Sequence, residues 1–239
     1  SGTVVNDDRW GLRQEPIVDW HQLIQTQQPD EHRRLQDKIK ARLHDDTVID
    51  AYTGELPLDL VPAFALPQSN WRDFIEADKN QDDLGYFPLR QAISTLVAQD
   101  YQFTLPVEHL MITSGGHQAI FLIVQALLNS GDAVAICQPS FLYALNLFQT
   151  AGIRLYGVPM DDQGMRLDLL ETEILKHRVK LVMLNPTFQN PTGTTMSLAR
   201  RKALIKLCQT YKIPIIEDDA FGLLPFDKRQ NLPPLKKLD

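Results

Sequence analysis

Cysteine is scarce: Cys137 and Cys208 stand alone in 239 residues, each in an apolar segment, without metal-ligand spacing. That usage excludes a disulfide framework and fits a reducing cytoplasm, which is the expected location. Long hydrophobic runs are also missing. None approaches the roughly 20 residues of a membrane span, and no signal peptide opens the chain, so no membrane partner is expected. Dense basic clusters are absent, and 24 Lys and Arg against 30 Asp and Glu leave a formal charge of −6. The chain therefore lacks the electrostatic footprint of a nucleic-acid binder. A Walker loop and a GxGxxG fingerprint are missing as well. Nor is there an initiator Met: the sequence opens Ser1-Gly2-Thr3 and stops at Leu238-Asp239, directly after Leu232-Pro233-Pro234-Leu235. This pattern is expected of an excised piece of a longer protein.

Apolar residues make up 44% and charged residues 23%, enough to fill a core. Residues 1–50 are polar and charge-rich, with aromatic anchors Trp10 and Trp20 and a helical stretch from Asp30 to Leu43. They read as a linker and one helix, with residues 51–239 as the main domain. From Val107 onward short apolar runs alternate with amphipathic segments, the pattern of βαβ units. Strands are expected at His109–Thr113, Ala133–Cys137, Arg154–Val158, Leu181–Leu184 and Ile213–Ile216. Helices are expected at Gln118–Leu128, Phe141–Ala151, Leu167–His177 and Ser197–Tyr211. The fold class is α/β, a three-layer αβα arrangement with a mostly parallel sheet. In such sheets ligands bind at the carboxyl ends of the strands, so function is expected in those turns.

Four turns carry candidate chemistry. Thr113-Ser114-Gly115-Gly116-His117-Gln118 follows an expected strand and opens a helix. Two glycines let the backbone approach a ligand, and free N–H groups with the helix dipole suit a phosphate. The same turn serves equally well as chain reversal, with His117 a surface or capping residue. Gln138-Pro139-Ser140-Phe141 puts an aromatic ring at a strand end, where it stacks on a planar ligand or simply joins the core. Asn185-Pro186-Thr187-Phe188-Gln189-Asn190-Pro191-Thr192-Gly193 is the most constrained stretch, two Asn-Pro pairs and a glycine fixing an amide that donates to a ligand oxygen. Glu217-Asp218-Asp219 closes the last expected strand. A carboxylate there pairs with a protonated ring nitrogen, caps a helix or binds a metal, the last disfavoured without accompanying His or Cys.

In this order, each at a strand end, these pieces resemble the fold-type-I pyridoxal 5'-phosphate-dependent aminotransferases, from about Ile49 to Asp239. The resemblance implies that the Gly116 and His117 amides bind the cofactor phosphate, Phe141 stacks on the pyridine, Asn190 donates to its 3′ oxygen and Asp218 pairs with the ring nitrogen. Gly54, in Tyr52-Thr53-Gly54-Glu55-Leu56-Pro57, matches a glycine near the substrate. Thr194-Thr195-Met196-Ser197-Leu198-Ala199-Arg200-Arg201 and Leu232-Pro233-Pro234-Leu235-Lys236-Lys237-Leu238-Asp239 look like the aminotransferase-like effector domains of MocR-type GntR-family transcription regulators. They also look like the aminoadipate and kynurenine aminotransferases. The polar leader favours the regulators, in which it would join an upstream winged helix-turn-helix domain.

This sequence departs from the pattern in several places. Phe141 replaces the family's usual tyrosine. Ala220-Phe221 occupies the positions where relatives place a tyrosine donor to the cofactor oxygen, so Phe221 faces the site without a hydroxyl. Asn80 falls where a tyrosine would reach the partner subunit's phosphate, with Tyr86 nearby. The resemblance places the cofactor-linking lysine one strand beyond Asp239, and Lys228, Lys236 and Lys237 precede that strand. The leading expectation is an effector fragment sensing the cofactor and a small amino-acid-type ligand, working as a homodimer and touching DNA only through a domain outside this chain. A working aminotransferase is the rival, and a binding module that has abandoned the cofactor is the third alternative.

Overall fold

A computed structural model describes residues 31–43, 45, 47–49, 58–65, 70–79, 82–225 and 232–239. It divides into two compact units, Ser1–Pro67 and Gln68–Asp239. In the first, helix α1 spans Glu31–Lys40 within the expected segment and ends on Lys38 and Lys40. Those cations complement the carbonyl end of the helix dipole.

The second unit opens with α2 (Trp71–Lys79) and α3 (Phe87–Asp100). Then follow α4 (Gly116–Leu127), β1 (Ala133–Gln138), α5 (Asn146–Thr150), β2 (Arg154–Asp161), β3 (Gly164–Met165), α6 (Leu167–His177), β4 (Leu181–Leu184), α7 (Leu198–Tyr211), β5 (Ile215–Glu217) and α8 (Leu235–Leu238). The sheet order is β3-β2-β1-β4-β5. Three junctions are parallel, and only the β2–β3 hairpin is antiparallel. The chain runs from β1 to β2 on one side and crosses back from β3 to β4 on the other, which makes the gap beyond β1 and β4 a topological switch point.

Alternate residues of the central strands feed two apolar layers. Ala133, Ala135 and Cys137 of β1 with Val182 and Leu184 of β4 pack against α6 and α7 through Leu170, Ile174, Leu204 and Cys208. Val134, Ile136, Leu181 and Met183 face the other way, against Ile120 and Val124 of α4 and against Leu142 and Phe148. With both faces covered, the strands read as continuous apolar runs. This is the expected three-layer αβα arrangement.

Strands β1 and β2 run further than expected, to Gln138 and Asp161, α4 starts earlier, at Gly116, the short β3 is additional, and three further differences have a physical cause. His109–Thr113 is not a sheet strand: Val107–His109 forms a 3-10 turn after Pro106, and the Ile112 amide bonds to the Leu84 carbonyl at 2.9 Å. Its apolar run packs beside the Asp82–Gly85 turn instead of joining the ladder. The helix expected over Phe141–Ala151 breaks at Leu145 (φ −87°, ψ 105°) into a 3-10 turn, Phe141–Ala144, and α5. One continuous helix would set Leu142 and Phe148 about 120° apart. The break brings both, each 1% exposed, into the same apolar layer. The last strand starts at Ile215 because Pro214, lacking an N–H, cannot donate to the ladder, although its carbonyl accepts from Val182 at 3.1 Å.

Candidate functional site

The residues at the switch point line one cleft of about 640 Å³, formed by the start of α4 and the segments following β1, β4 and β5. Gly115 precedes α4 with φ 89°, a conformation open to glycine and costly for other residues. Gly116 and His117 supply first-turn amides, which have no acceptor inside the helix. A Cβ built on either Gly115 or Gly116 would meet nothing within 4 Å, so the turn opens onto free space.

Phe141 follows β1. Its turn is held by the Ser140 hydroxyl, which accepts from the Leu142 amide at 3.2 Å, while the Phe141 amide donates to the Asn190 carbonyl at 3.3 Å. Asn190 belongs to the loop after β4 and precedes a cis proline. At the root of that loop Asn185, 4% exposed, donates its side-chain amide to the Asp218 carbonyl at 3.2 Å. The Asp218 amide in turn bonds the Leu184 carbonyl at 3.0 Å, so the ends of β4 and β5 are stitched together. Asp218 Oδ1 accepts from the Ala220 amide at 3.1 Å, and Phe221 closes the same side of the cleft.

The structure thus gathers Gly116, His117, Phe141, Asn190, Asp218 and Phe221 in one place. Gly54, Asn80 and Lys228 lie outside the described residues. Lys236 and Lys237 belong to α8 and do not line this cleft.

Several residues go beyond those the motifs point to. Tyr101, at the end of α3, donates its hydroxyl to the Asp219 carboxylate in the cleft wall. Burial pushes the Asp219 carboxyl upward, and the Tyr101 hydroxyl and Arg201 work against that shift. Burial is also the main cause raising the Tyr101 phenol, with the Asp219 bond next. Behind the wall Arg201, fully buried on α7, donates to the carbonyls of Met196, Pro186 and Pro233 and to the Thr187 hydroxyl, at 2.8–3.1 Å. Glu217 lies 4.0 Å away and accepts from the Leu235 and Lys236 amides, fastening α8 to β5. Burial raises Glu217 and lowers Arg201, so lost hydration outweighs their attraction at this distance.

A second cleft, of about 700 Å³, lies among α7, β5 and α8. It is slightly larger, but it holds neither a glycine turn nor an aromatic wall. The switch-point cleft has an anion cradle, an aromatic face, a fixed amide and a carboxylate. That set suits a planar heteroaromatic cation carrying a phosphate.

The fold is that of an aminotransferase large domain. The solved structure of an archaeal alanine:glyoxylate aminotransferase superposes with a TM-score of 0.62 at 34% identity, over 70% of this chain and 44% of that one. LysN, the alpha-aminoadipate aminotransferase of Thermus thermophilus, solved with N-(5'-phosphopyridoxyl)-L-leucine, gives 0.62 at 32% identity, over 70% and 41%. The family model for aminotransferase class I and II matches residues 52–235. The chain belongs to the class I and II aminotransferase family. It is also 35% identical to the HTH-type transcriptional regulator YisV of Bacillus subtilis, across the whole of this chain and 49% of that protein. The chain spans about half the length of the curated regulators it matches.

Proposed function

We propose that the switch-point cleft binds pyridoxal 5'-phosphate, and that the chain is the cofactor-binding part of a MocR-type GntR-family regulator's effector domain. The convergence of the Gly115-Gly116 turn, Phe141, Asn190 and Asp218 on one cleft carries this reading. The residues fit the cofactor: the turn opens onto free space, the amide donors suit a phosphate and a ring oxygen, and the Asp218 carboxylate suits a protonated ring nitrogen as acceptor. When bound, the protonated pyridine supplies an electron sink. The first-turn amides of α4 hold the phosphate with help from the helix dipole. Phe141 covers a ring face, Asn190 donates to the 3′ oxygen, and Asp218 keeps the ring nitrogen protonated. Phe221 encloses the ring without donating to it. Gly54 is assigned to the side of a small amino-acid-type ligand. The proposed protein is a cytoplasmic homodimer that reaches DNA through another domain.

A catalytic aminotransferase would use the same four positions. The regulator reading is favoured by the missing Phe221 hydroxyl and by similarity to YisV along the entire chain. Titrating pyridoxal 5'-phosphate and following its induced circular dichroism tests the cleft. Asp218→Asn removes a charged partner worth about 1.5–3 kcal/mol and should weaken binding roughly 10- to 100-fold. Binding unchanged by that substitution refutes the assignment. Release of a 2-oxo acid from an added amino acid, in a form of the protein containing the cofactor-linking lysine, would favour the enzyme.

A further inference from the structure

We infer that Gln189 is a positioning residue that fixes the spacing between Phe141 and Asn190. Its purpose rests on the cofactor reading above, whereas its geometry does not. Gln189 is 2% exposed and does not line the cleft itself. Its Nε2 donates to the Pro139 carbonyl at 2.9 Å and to the Asn190 carbonyl at 2.7 Å. Its Oε1 accepts from the Thr192 amide at 3.1 Å and from the Thr192 hydroxyl at 2.7 Å. A side-chain amide offers two N–H donors and one oxygen with two lone pairs, so every bonding position is used.

Those bonds join two strand ends. Pro139 precedes the Phe141 turn, and Asn190 is the next residue along the loop after β4. The Asn190 carbonyl receives both the Gln189 side chain and the Phe141 amide, so one oxygen links the aromatic wall to the amide-bearing loop. The loop cannot hold this shape by backbone preference. Phe188 sits at φ 49°, in the left-handed region that disfavours a bulky side chain. Apart from the single Phe141 amide bond to the Asn190 carbonyl, the backbone here adds local closure, from the Gln189 amide to the Thr194 carbonyl and from the Gly193 amide to the Gln189 carbonyl. Among the described residues Gln189 is the side chain that crosses from this loop to the β1 turn. Glutamate has the same size but cannot supply the two donors, and methionine supplies no amide at all.

Amide exchange and cofactor titration on the full chain test this, using Gln189→Met and Gln189→Glu. Exchange of the Phe141 amide should quicken about tenfold or more in each, while Ile136 of β1 and Met183 of β4 keep their protection. Added pyridoxal 5'-phosphate should bind about tenfold more weakly, with an altered induced dichroism band. Unchanged Phe141 exchange overturns the inference. Loss of protection at Ile136 and Met183 in both variants also overturns it, since Gln189 would then hold the fold and not the spacing. If the unaltered chain shows no cofactor band, the cofactor reading fails while the exchange comparison still decides the role of Gln189.

Discussion

At the residue scale the absence of one hydroxyl is the sharpest feature of the cleft. Phe221 lines the cleft with Asp218, and in the proposed function it meets the cofactor without a hydroxyl to donate. Phe221→Tyr should tighten pyridoxal 5'-phosphate binding about three- to tenfold, one neutral hydrogen bond contributing roughly 0.5–1.5 kcal/mol. Equilibrium titration measures it, and equal affinities would show that the new hydroxyl does not reach the cofactor. Gly115 offers a second test at the same scale. A Cβ there meets no atom within 4 Å, yet φ is 89°, so Gly115→Ala pays only for backbone strain. It should lower stability by about 1–3 kcal/mol in urea unfolding, since φ 89° with ψ 169° is a region adopted almost exclusively by glycine. Phe141, Asn190 and Asp218 were legible in the sequence because each follows a strand, and Gly116 because a Gly-Gly turn opens a helix even though the strand expected before it is absent. Tyr101 was not. Its hydroxyl meets Asp219 across 118 positions, and neither segment carries a sign of the other. Gln189 was visible within a constrained loop, but its partner at Pro139 exists only once β1 and β4 are parallel neighbours.

At the element scale, periodicity located the helices that bury a steady apolar stripe and misplaced those whose boundaries are set from elsewhere. Leu167–His177 matches the expected helix, and α7 begins just after its Ser197 cap, whose hydroxyl accepts from the Arg200 amide. The α5 region was misread because its break at Leu145 serves the sheet beneath it, which no local spacing reveals. The junction of β5, α7 and α8 was equally hidden, since neither motif shows that Arg201 is buried with Glu217 near it. Their burial makes a pH prediction. Glu217 is raised above its ordinary 4.5, chiefly by burial. Its neutral form therefore favours folding: the contribution is fully present below pH 4.5 and is lost as pH rises through the higher folded value. Glu217→Gln stays neutral, so the stability of this variant relative to the parent chain should increase with pH above 4.5. Urea midpoints of the two proteins across that range measure the difference, and a constant gap would show that Glu217 titrates normally. Asp161 and Asp168 shift in the opposite direction, lowered first by their hydrogen bonds to Arg200 and Arg166. Their contribution is present above pH 3.8 and falls away below it in both proteins, so it cancels from the comparison.

At the scale of the whole molecule, the acidic charge and the exposed apolar surface point to different partners. A formal charge of −6 gives DNA phosphates little to grip. The chain alone should leave the mobility and anisotropy of a DNA duplex unchanged even at low salt. Apolar surface is less evenly disposed. Phe87, Leu89 and Leu96 of α3, and Phe121 and Leu122 of α4, are each 41–49% exposed. Under the proposed homodimer these side chains are the first candidates for the contact surface. Because α4 also begins with the Gly115-Gly116 turn, a partner on this helix would sit close to the proposed phosphate cradle. Two-fold pairing places each residue of such a face in the interface twice. A single Phe121→Arg change therefore introduces two charges into one contact, while leaving buried Ile120 and Val124 on the sheet side of the helix. Light scattering should give the parent chain a mass near twice 27.2 kDa. Phe121→Arg should shift it to the monomer without loss of helical dichroism. A parent chain that stays monomeric at every concentration would remove the homodimer from the proposal, and a variant that remains dimeric would place the interface elsewhere on the surface.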